Sequence, residues 1–596
     1  MPNKALNRRS FLKYTALAGV TLAGSGLLAA CGDSTATAST PAGSTGTIPV
    51  AATGSSSGTI DPRNLANFTN PLNLPGSEGA LGVLDLTSSA SSSPLELVAK
   101  PLSLPLLKGK PAQLLTYQAS LGGKSFINPV LRLKKGQTLK ANLTNGLSED
   151  TNIHWHGLKV ASKMDGHPSR PLKPGENFSY SFPVQNRGGT YWYHPHPHKL
   201  TPRQAYSGLA SFFVVEDEDT QRLNEALDLK LGETDLPIVI QDKLFDAQGQ
   251  LVYRADASTQ FMGFYGDTIL ANLTPHASLD VATRIYRLRL LNGSNARTYR
   301  LAFVKGTSSE KLAYWLIGTD GGLLDKPYQV TELFLSPGER VELLVDFSKL
   351  EAGAVVALKS LSFDPMHNEM GSGMNMSVGS GGMDMGNMGG MHSGHSGMMG
   401  SATATPQAGT GNASLDDGQE FYILKLNIKN KVSYNRSFPQ ALSSLEKPDT
   451  TGATVRPVVL SLTMMGQGGQ MMQWLINGQS FNMDEYPITV KKNSTEIWEF
   501  KNEANSMPHP MHLHGFQFQV LSRQNSPAQL NPLATFSEGR LATDLGWKDT
   551  VLVWPGETVR TAINFSHNFE GEQLYVTHCH VLEHEDNGMM VNYKVV

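Results

Sequence analysis

Ten of the 17 histidines stand in four short motifs, HWH at 154–156, HPH at 194–196, HPMHLH at 509–514 and HCHVLEH at 578–584. Residues two apart in an extended strand point to the same side, so each HxH offers two imidazoles to one place. Four such pairs supply eight nitrogen ligands, which suits a cluster of metal ions better than a single ion. Chance clustering of core histidines explains one HxH, but it does not account for four.

A second set of ligands follows from the same alternation. Cys579 lies between the two histidines of the last pair and points to the opposite side of its strand, as does His509, three residues before the third pair. His584 and Met589 follow Cys579 by five and ten residues. Two histidines and a cysteine with a weak axial methionine are the ligands of a blue-copper electron-transfer centre. Structural zinc, the competing interpretation, uses more cysteine and leaves the other eight histidines unexplained.

The motifs lie on predicted strands that repeat along the chain. LRLKKGQTLKANLTN (131–145) precedes the first histidine pair, and ITVKKNSTEIWEFKN (488–502) precedes the third at nearly the same distance. PGE turns at 174–176, 337–339 and 555–557 mark three copies, and the middle copy carries none of the four motifs. Alternating apolar and polar residues with frequent Gly, Pro and Asn indicate strands and turns. We therefore predict an all-β chain of three consecutive β-sandwich domains.

The length and charge of the chain indicate several domains and argue against a nucleic-acid-binding protein. Its 596 residues are too many for one hydrophobic core, and three or four domains are expected at roughly 150 residues each. It has 49 Lys and Arg against 52 Asp and Glu, a net charge of −3 that provides no basic surface for nucleic acid. No nucleic-acid partner is expected.

The N-terminus predicts export and a lipid anchor. NRRSFLK (7–13) and the short apolar run that follows resemble a twin-arginine signal. LAAC (28–31) resembles a bacterial lipobox, which would place a lipid on Cys31, although an ordinary signal peptide cut nearby is the alternative. We expect an exported, periplasmic or extracytoplasmic protein that is tethered to the membrane through Cys31. Cys579 is then the only thiol left, and no intramolecular disulfide can form.

The four motifs, with HCHxxxHxxxxM at the C-terminus, resemble those of the multicopper oxidases from about residue 94 to residue 596. The resemblance implies three cupredoxin-like Greek-key domains and four copper ions, a type 1 copper in the last domain and a trinuclear cluster between the first and the last. Carried over by motif, the ligands are His509, Cys579, His584 and Met589 for type 1 copper, His154 and His512 for type 2 copper, and His156, His194, His196, His514, His578 and His580 for the type 3 pair. Met590 is the alternative axial ligand.

The resemblance also implies a mechanism and its catalytic residues. The type 1 copper takes electrons from a reductant, and the trinuclear cluster uses them to reduce O2 to water. Cys579 is covalently adjacent to ligands of both sites and offers a short electron path. Asp165 and Glu585 resemble the acidic residues on the family's oxygen and proton path, and solvated surface carboxylates are the alternative for both.

A methionine-rich insertion indicates the reductant. Residues 366–399 hold ten of the 22 methionines and almost no other apolar side chains, so they cannot form a core. Thioether sulfur suits Cu(I), although low-complexity sequence without a function is the alternative. The expected substrate Cu(I) ligands are Met507, Met366, Met370, Met374 and Met376.

The insertion, LLNGSNAR (290–297) and LEHEDNGMM (582–590) resemble the bacterial copper-tolerance cuprous oxidases more than fungal laccases. Asn505, Asn368 and Phe363 depart from that pattern, which has Asp, Asp and Met, so the insertion itself is expected to supply copper.

These observations predict a monomeric oxidase of Cu(I), and of phenols or aromatic amines, that acts in copper tolerance with O2 as acceptor. A laccase acting mainly on phenols is the close alternative, and a non-catalytic copper-sequestering or assembly protein is the alternative of another class. A copper nitrite reductase would leave most of the eight histidines unexplained. The predicted segments are a signal peptide with lipobox (1–31), a flexible tether (32–92), three cupredoxin domains (93–220, 221–362 and 416–596) and the insertion (363–415). The middle domain is expected to hold no copper ligand.

Overall fold

The computed structural model describes residues 61–88, 93–366, 415–463 and 472–596. The predicted signal peptide with Cys31, and the insertion residues Met370, Met374 and Met376, lie outside these ranges. No helix in the described part of the chain is long and apolar enough to cross a membrane. The described residues are mostly β-strand and form three consecutive β-sandwiches, which confirms the predicted fold class.

The first sandwich packs a six-stranded sheet on a four-stranded one. A short strand, β1 (Asn70–Pro71), comes before it and belongs to the middle sandwich. The strands of the first sandwich are β2 (Gly79–Ala80), β3 (Val83–Asp85), β4 (Leu95–Leu107), β5 (Lys110–Leu121), β6 (Lys124–Ile127), β7 (Val130–Lys134), β8 (Thr138–Asn145), β9 (Asn177–Pro183), β10 (Gly189–Tyr193) and β11 (Ser211–Glu216). Their orders are β2-β6-β5-β4-β8-β9 and β10-β11-β7-β3. Strands distant in sequence are neighbours, β4 with β8 and β7 with β11, as Greek-key connections require.

The middle sandwich packs two seven-stranded sheets. Its other strands are β12 (Asp235–Lys243), β13 (Thr268–Ala271), β14 (Thr274–Pro275), β15 (Ala277–Ala282), β16 (Ile285–Asn292), β17 (Tyr299–Lys305), β18 (Lys311–Leu312), β19 (Tyr314–Thr319), β20 (Gly322–Val330), β21 (Leu333–Leu335), β22 (Arg340–Asp346), β23 (Val355–Ser360) and β24 (Phe421–Asn430). The orders are β1-β15-β24-β23-β17-β18, with β21 also beside β17, and β14-β13-β12-β16-β22-β19-β20.

The third sandwich packs two five-stranded sheets and carries the last two histidine motifs. Its strands are β25 (Thr454–Thr463), β26 (Gln473–Ile476), β27 (Ile488–Val490), β28 (Thr495–Asn502), β29 (His509–Leu513), β30 (Phe518–Gln524), β31 (Thr550–Val553), β32 (Thr558–Asn564), β33 (Gln573–Cys579) and β34 (Met590–Val595). The orders are β26-β25-β28-β32-β30 and β27-β34-β33-β29-β31.

Helices are short and lie in the connections. The α-helices are α1 (Thr201–Tyr206), α2 (Glu218–Leu227), α3 (Ala257–Met262) and α4 (Leu582–Asp586). Single 3-10 turns occur at Leu65–Asn67, Ser162–Met164, Ala528–Leu530, Ser537–Gly539 and Ala542–Asp544.

The repeated PGE turn occupies one place in all three sandwiches. It comes just before β9, β22 and β32, and its glycines, Gly175, Gly338 and Gly556, have φ of +83°, +82° and +75°. Glycine takes this left-handed conformation at little cost, whereas a side chain would strain it. The repeat seen in the sequence is therefore one recurring turn of the sandwich.

The structure corrects two predicted boundaries. The tether was predicted to end at residue 92, but β1, β2 and β3 lie before that point, and Leu84 of β3 is buried beside β7. The third domain was predicted to begin at residue 416, but β24 pairs with β15 and β23 of the middle sandwich. Its alternate residues Leu424, Leu426 and Ile428 fill that core, so the methionine-rich insertion interrupts the middle sandwich.

Candidate metal centre

Three of the predicted type 1 ligands converge in the core of the third sandwich. Sγ of Cys579, at the end of β33, lies 3.4 Å from Nδ1 of His509 in β29 and 3.7 Å from Nδ1 of His584 in α4. The two Nδ1 atoms are 3.3 Å apart. All three side chains are buried, and Val581 donates a backbone N–H to the sulfur at 3.4 Å. The thiol and both imidazoles can therefore bind one ion.

The register of the last two strands distinguishes Met589 from Met590 as the axial ligand. Met590 of β34 pairs with His578 of β33, and residues directly opposite one another share a face of the sheet. Met590 is therefore on the side of His578, whereas Met589 is buried in the same apolar cluster as Cys579. This arrangement favours Met589 as the axial ligand.

Burial sets the protonation of this site. It lowers the pKa of His509 far below its usual value and that of His584 to about 3, so both rings are neutral. Nε2 of His584 donates to the carbonyl of Phe261 at 2.7 Å, which leaves the lone pair on Nδ1. Burial also raises the pKa of the Cys579 thiol, so a bound cation is needed to stabilise the thiolate here.

The other eight histidines of the four motifs form a second cluster between the first and third sandwiches. All of them are at most 1% exposed. Facing ring nitrogens are Nε2 of His154 and Nε2 of His512 (3.3 Å), Nε2 of His196 and Nε2 of His578 (3.2 Å), Nε2 of His514 and Nε2 of His578 (3.1 Å), and Nδ1 of His156 and Nε2 of His194 (3.4 Å). His580 completes the cluster, with its ring centre 5.1 Å from that of His156 and 5.4 Å from that of His194.

The extended backbone directs the imidazoles of each histidine pair to the same side. His154 and His194 form an antiparallel bridge, in which the two N–H···O distances are 2.8 and 3.2 Å. The residue between the first two histidines, Trp155, is buried in the core of the first sandwich, and Leu513 is buried in the core of the third. Apolar neighbours thus anchor each strand in its own core, and the histidines face the space between the sandwiches.

The donor set of this cluster fits transition-metal ions. Burial, followed by repulsion between neighbouring rings, lowers the pKa of six of the rings far below the usual value, namely His156, His194, His196, His512, His514 and His580. Neutral imidazoles are good ligands for copper, zinc, iron and nickel. Neither ring nitrogen of His580 has a hydrogen-bond partner among the described residues, which is costly in a dry interior unless the ring ligates a metal.

Both predicted carboxylates touch this cluster, and neither is on the surface. Oδ2 of Asp165 accepts a hydrogen bond from Nδ1 of His514 at 2.7 Å. Oε2 of Glu585 lies 3.1 Å from Nδ1 of His578, and its Oε1 lies 3.4 Å from Nδ1 of His196. Both carboxylates are fully buried, so the alternative of a solvated surface group is wrong for each.

Sequence reasoning missed a third carboxylate. Oδ1 of Asp549 accepts a hydrogen bond from Nε2 of His156 at 3.0 Å, and its backbone carbonyl accepts one from Nδ1 of His512 at 2.8 Å. Arg340 of the middle sandwich contacts the same carboxylate. The available signal was the segment KDT (548–550), a pair of charges immediately before the buried strand β31.

A pocket lined by three methionines lies beside the thiol site. Met366 and Met507, both predicted substrate ligands, line it together with Met262 and Asp417, which the sequence did not indicate. The pocket wall also includes Val581, two residues after Cys579. Oδ1 of Asp417 has no hydrogen-bond partner among the described residues, and burial raises the pKa of this carboxyl to about 6.

Comparison with known proteins decides the family. The multicopper oxidase family model matches residues 108–220 and 454–596. The multicopper oxidase mco of Staphylococcus aureus is 31% identical over 492 residues, which cover 82% of this chain and 85% of that protein. The chain belongs to the multicopper oxidase family. It is an oxidoreductase that uses O2, and copper is its cofactor.

Other proteins similar to this chain have different names. The laccase of Bacillus subtilis strain 168 is 28% identical over 74% of this chain and 78% of its own. The cell division protein FtsP of Xenorhabdus nematophila is 30% identical over 78% of this chain and 82% of its own.

Solved multicopper oxidases share the fold. The McoA multicopper oxidase from Aquifex aeolicus is 37% identical, covers 88% of this chain and 99% of its own, and superposes with a TM-score of 0.71. The Campylobacter jejuni multicopper oxidase, described as a metallo-oxidase, is 26% identical with a TM-score of 0.64, over 91% of this chain and 99% of its own.

Proposed function

We propose that this multicopper oxidase binds four copper ions and oxidises Cu(I) at the expense of O2. His509, Cys579, His584 and Met589 hold the type 1 ion, His154 and His512 hold the type 2 ion, and the other six cluster histidines hold the type 3 pair. Bound copper supplies one-electron oxidation of the reductant and four-electron reduction of O2 to two waters. The observation that carries the proposal is the convergence of buried imidazoles and one buried thiol at two adjacent places.

The chain itself supplies orientation, an electron path and proton carriers. Asp165 accepts the Nδ1 proton of His514, and the carbonyl of Cys579 accepts that of His578, which keeps Nε2 of both rings free for metal. Glu585 lies 3.1 Å from Nδ1 of His578. The peptide bonds on either side of Cys579 lead directly to His578 and His580. Since the reduction of O2 consumes protons, we assign the two buried carboxylates to proton delivery.

The methionine pocket supports Cu(I) as the reductant. Three thioethers and one carboxylate face a small space beside the type 1 ligands. Soft sulfur favours Cu(I) over harder cations. Oδ2 of Asp417 accepts a hydrogen bond from the hydroxyl of Tyr265 at 3.2 Å, and Oδ1 has no hydrogen-bond partner among the described residues, so it can act as a further donor to the ion. The similarity to a protein described as a metallo-oxidase agrees with this substrate.

The cellular setting follows from the sequence. We propose that the enzyme is exported, is tethered through a lipid on Cys31, acts as a monomer and contributes to copper tolerance. The twin-arginine pattern and the lipobox support this proposal.

Two other functions remain candidates. The similarity to the Bacillus subtilis laccase favours phenols as reductants. The similarity to the cell division protein FtsP favours a role in cell division, although the described part of this chain provides histidine, cysteine and methionine at every predicted ligand position of the four copper ions.

The test is O2 uptake by the copper-loaded protein with Cu(I) and with a methoxyphenol. The intact chain is compared with a chain that lacks residues 366–399. We expect the deletion to lower Cu(I) turnover and to leave or raise phenol turnover, because the deleted segment contains ten thioethers that bind Cu(I).

Two results would contradict the proposal. Negligible Cu(I) turnover by the intact chain, with rapid phenol turnover, would identify a laccase. Failure of the copper-loaded protein to consume O2 with either reductant would identify a sequestering or assembly protein.

A further inference from the structure

The middle sandwich holds none of the proposed ligands of the type 1, type 2 and type 3 copper ions, yet one of its turns reaches the eight-histidine cluster. This is the PGER segment (337–340) that leads into β22. Gly338 lies so close to the ring of His580 that a Cβ atom at this position would come within 2.9 Å of it. Arg340 is 0% exposed, and its charge must therefore be paired within the protein.

The guanidinium of Arg340 joins all three sandwiches. Nη1 and Nη2 donate to Oδ1 and Oδ2 of Asp549 at 2.7 and 2.6 Å, two parallel bonds that fix the plane of the carboxylate. Nε donates to the carbonyl of Thr190 in the first sandwich at 3.1 Å. Nη1 and Nη2 also donate to the carbonyls of Gly338 and Asp320 in the middle sandwich, at 2.8 and 3.1 Å.

Asp549 in turn determines the orientation of His156. Its Oδ1 accepts the proton of Nε2 at 3.0 Å, so the lone pair of the ring is on Nδ1, which faces Nε2 of His194 at 3.4 Å. The opposite tautomer occurs in the rings whose Nδ1 donates to a backbone carbonyl or a carboxylate, which are His154, His194, His512, His514 and His578.

We propose that Arg340 is a positioning residue for the type 3 copper pair. Through Asp549 it fixes the tautomer and the ring plane of His156, and it thereby links the middle sandwich to a metal site that contains none of that sandwich's side chains. Without the two parallel bonds, the Thr550 hydroxyl, which donates to Oδ1 at 3.0 Å, is the remaining described side-chain donor to the carboxylate besides His156 itself. One such bond does not fix the carboxylate plane, so the acceptor that holds the proton of His156 on Nε2 can turn away. This inference rests on the ligand assignment proposed above for His156.

The test compares Arg340→Lys with the wild type in the copper-loaded full chain. Lysine keeps the charge but cannot form the planar fork. A correctly coupled type 3 pair gives no EPR signal. We therefore expect the EPR-detectable fraction of copper to rise and the bound copper per chain to fall, while the blue absorption of the type 1 site is unchanged. Turnover of O2 is expected to fall by roughly 10- to 100-fold, the usual effect of losing a group that orients a ligand.

Arg523→Lys is the matched control. Arg523 is buried and also binds a carboxylate through two bonds, with Nε and Nη2 donating to Asp544 at 2.7 and 3.0 Å. Unlike Asp549, neither Asp544 nor its second partner Glu557 has a described hydrogen bond or ion pair with a cluster histidine. We expect this control to lose thermal stability and to keep the EPR and copper content of the wild type. Equal EPR and copper content in both lysine variants would reduce Arg340 to a structural ion pair and overturn the proposal.

If Arg340→Lys does not fold, the Asp549→Asn variant tests the same proposal. Asp549→Asn keeps the size of the side chain and removes the charged acceptor, and the same rise in EPR-detectable copper is expected. A wild-type EPR signature in this variant would also overturn the proposal. Failure of the ligand assignment itself is distinguishable, because the wild-type protein would then show no EPR-silent pair.

Discussion

Cys579 is the residue at which the two groups of candidate metal ligands meet. Its sulfur faces His509 and His584, while the peptide bonds on either side of it lead to two histidines of the eight-membered cluster. The backbone N–H of Val581 points at the sulfur from 3.4 Å, and the N–H of Cys579 donates to the carbonyl of Met589 at 3.0 Å. These bonds fix the sulfur in a dry core, where its ligation by a cation is the available stabilisation.

Replacement of Cys579 by serine should abolish the blue absorption band and the oxidase turnover. A serine oxygen is a harder donor than thiolate sulfur and lacks the copper-thiolate bond that gives the colour. Visible spectroscopy and O2 uptake on the copper-loaded variant measure both effects.

Cys31→Ser is the control, because it removes the other cysteine of the chain. We expect Cys31→Ser to keep the band and the turnover and to leave the membrane fraction. A blue, active Cys579→Ser enzyme would show that the type 1 assignment is wrong.

At the scale of elements, helix α3 of the middle sandwich covers the proposed type 1 site. The carbonyl of Phe261 accepts the hydrogen bond from Nε2 of His584 at 2.7 Å. The ring of Phe261 stacks on Trp474 with centroids 5.4 Å apart, and Trp474 lies 4.5 Å from the ring of His584 and 4.8 Å from that of His509. The imidazole edges at which a bulky reductant would dock are therefore covered by aromatic side chains.

The buried carboxylate of Glu583 connects α4 to the residues around α3. Oε1 of Glu583 accepts hydrogen bonds from the hydroxyl of Tyr253 at 3.0 Å and from the amide of Asn295 at 2.7 Å. Its Oε2 accepts one from the backbone N–H of Phe264 at 3.1 Å. Tyr253 and Phe264 flank α3 in the chain, so two of these bonds attach the segment that contains α3 to α4, which carries His584.

Phe261→Ala should open this cover to aromatic reductants. Removing the half-buried ring exposes the face of Trp474 beside both type 1 histidines. We expect kcat/KM for a methoxyphenol to rise by roughly tenfold, equivalent to about 1.4 kcal/mol. Steady-state O2 uptake over a range of phenol concentrations measures the change.

Phe438→Ala is the matched control, because Phe438 is also half-buried and packs on a tryptophan, Trp315, at 4.1 Å, within the middle sandwich. The same gain in both variants, or no gain in Phe261→Ala, would mean that α3 does not limit access.

At the scale of the whole molecule, the eight-histidine cluster lies between two sandwiches that are distant in sequence. His154, His156, His194 and His196 come from the first sandwich, and the other four cluster histidines come from the third. Without a metal ion, eight buried imidazoles face one another at this interface. Binding energy that acts only on the assembled cluster therefore contributes directly to the stability of the folded chain.

Removal of copper should lower the melting temperature of the protein. A ligand at a thousandfold excess over its Kd adds about 4 kcal/mol to the free energy of unfolding. Each kcal/mol shifts Tm by about 2–4 °C in a domain of 150–250 residues, so a difference of roughly 10 °C is expected. Differential scanning calorimetry of copper-loaded and chelator-treated protein measures it.

The Cys579→Ser variant should keep most of this shift, because it retains all eight cluster histidines. Equal melting temperatures with and without copper would show that the cluster does not tie the two sandwiches together.

The sequence by itself determined the chemistry and the class of fold. The alternation of side chains in a strand is a local property, so HxH spacing was enough to predict two groups of ligands on opposite faces, and the structure brings both groups together. Repeated strand patterns and PGE turns were enough to predict three sandwiches. His584 shows the limit of this reasoning, because it lies on the short helix α4, where strand parity does not apply.

The tertiary structure decided every contact between residues far apart in the chain. Arg340 and Asp549 are separated by 209 residues, and Met262 reaches the methionine pocket from the middle sandwich. The assignment of β24 to that sandwich depended on which core accepted its apolar face. A local pattern states which side of a strand is apolar or polar, but only the packing of one sheet or sandwich against another decides what that side meets.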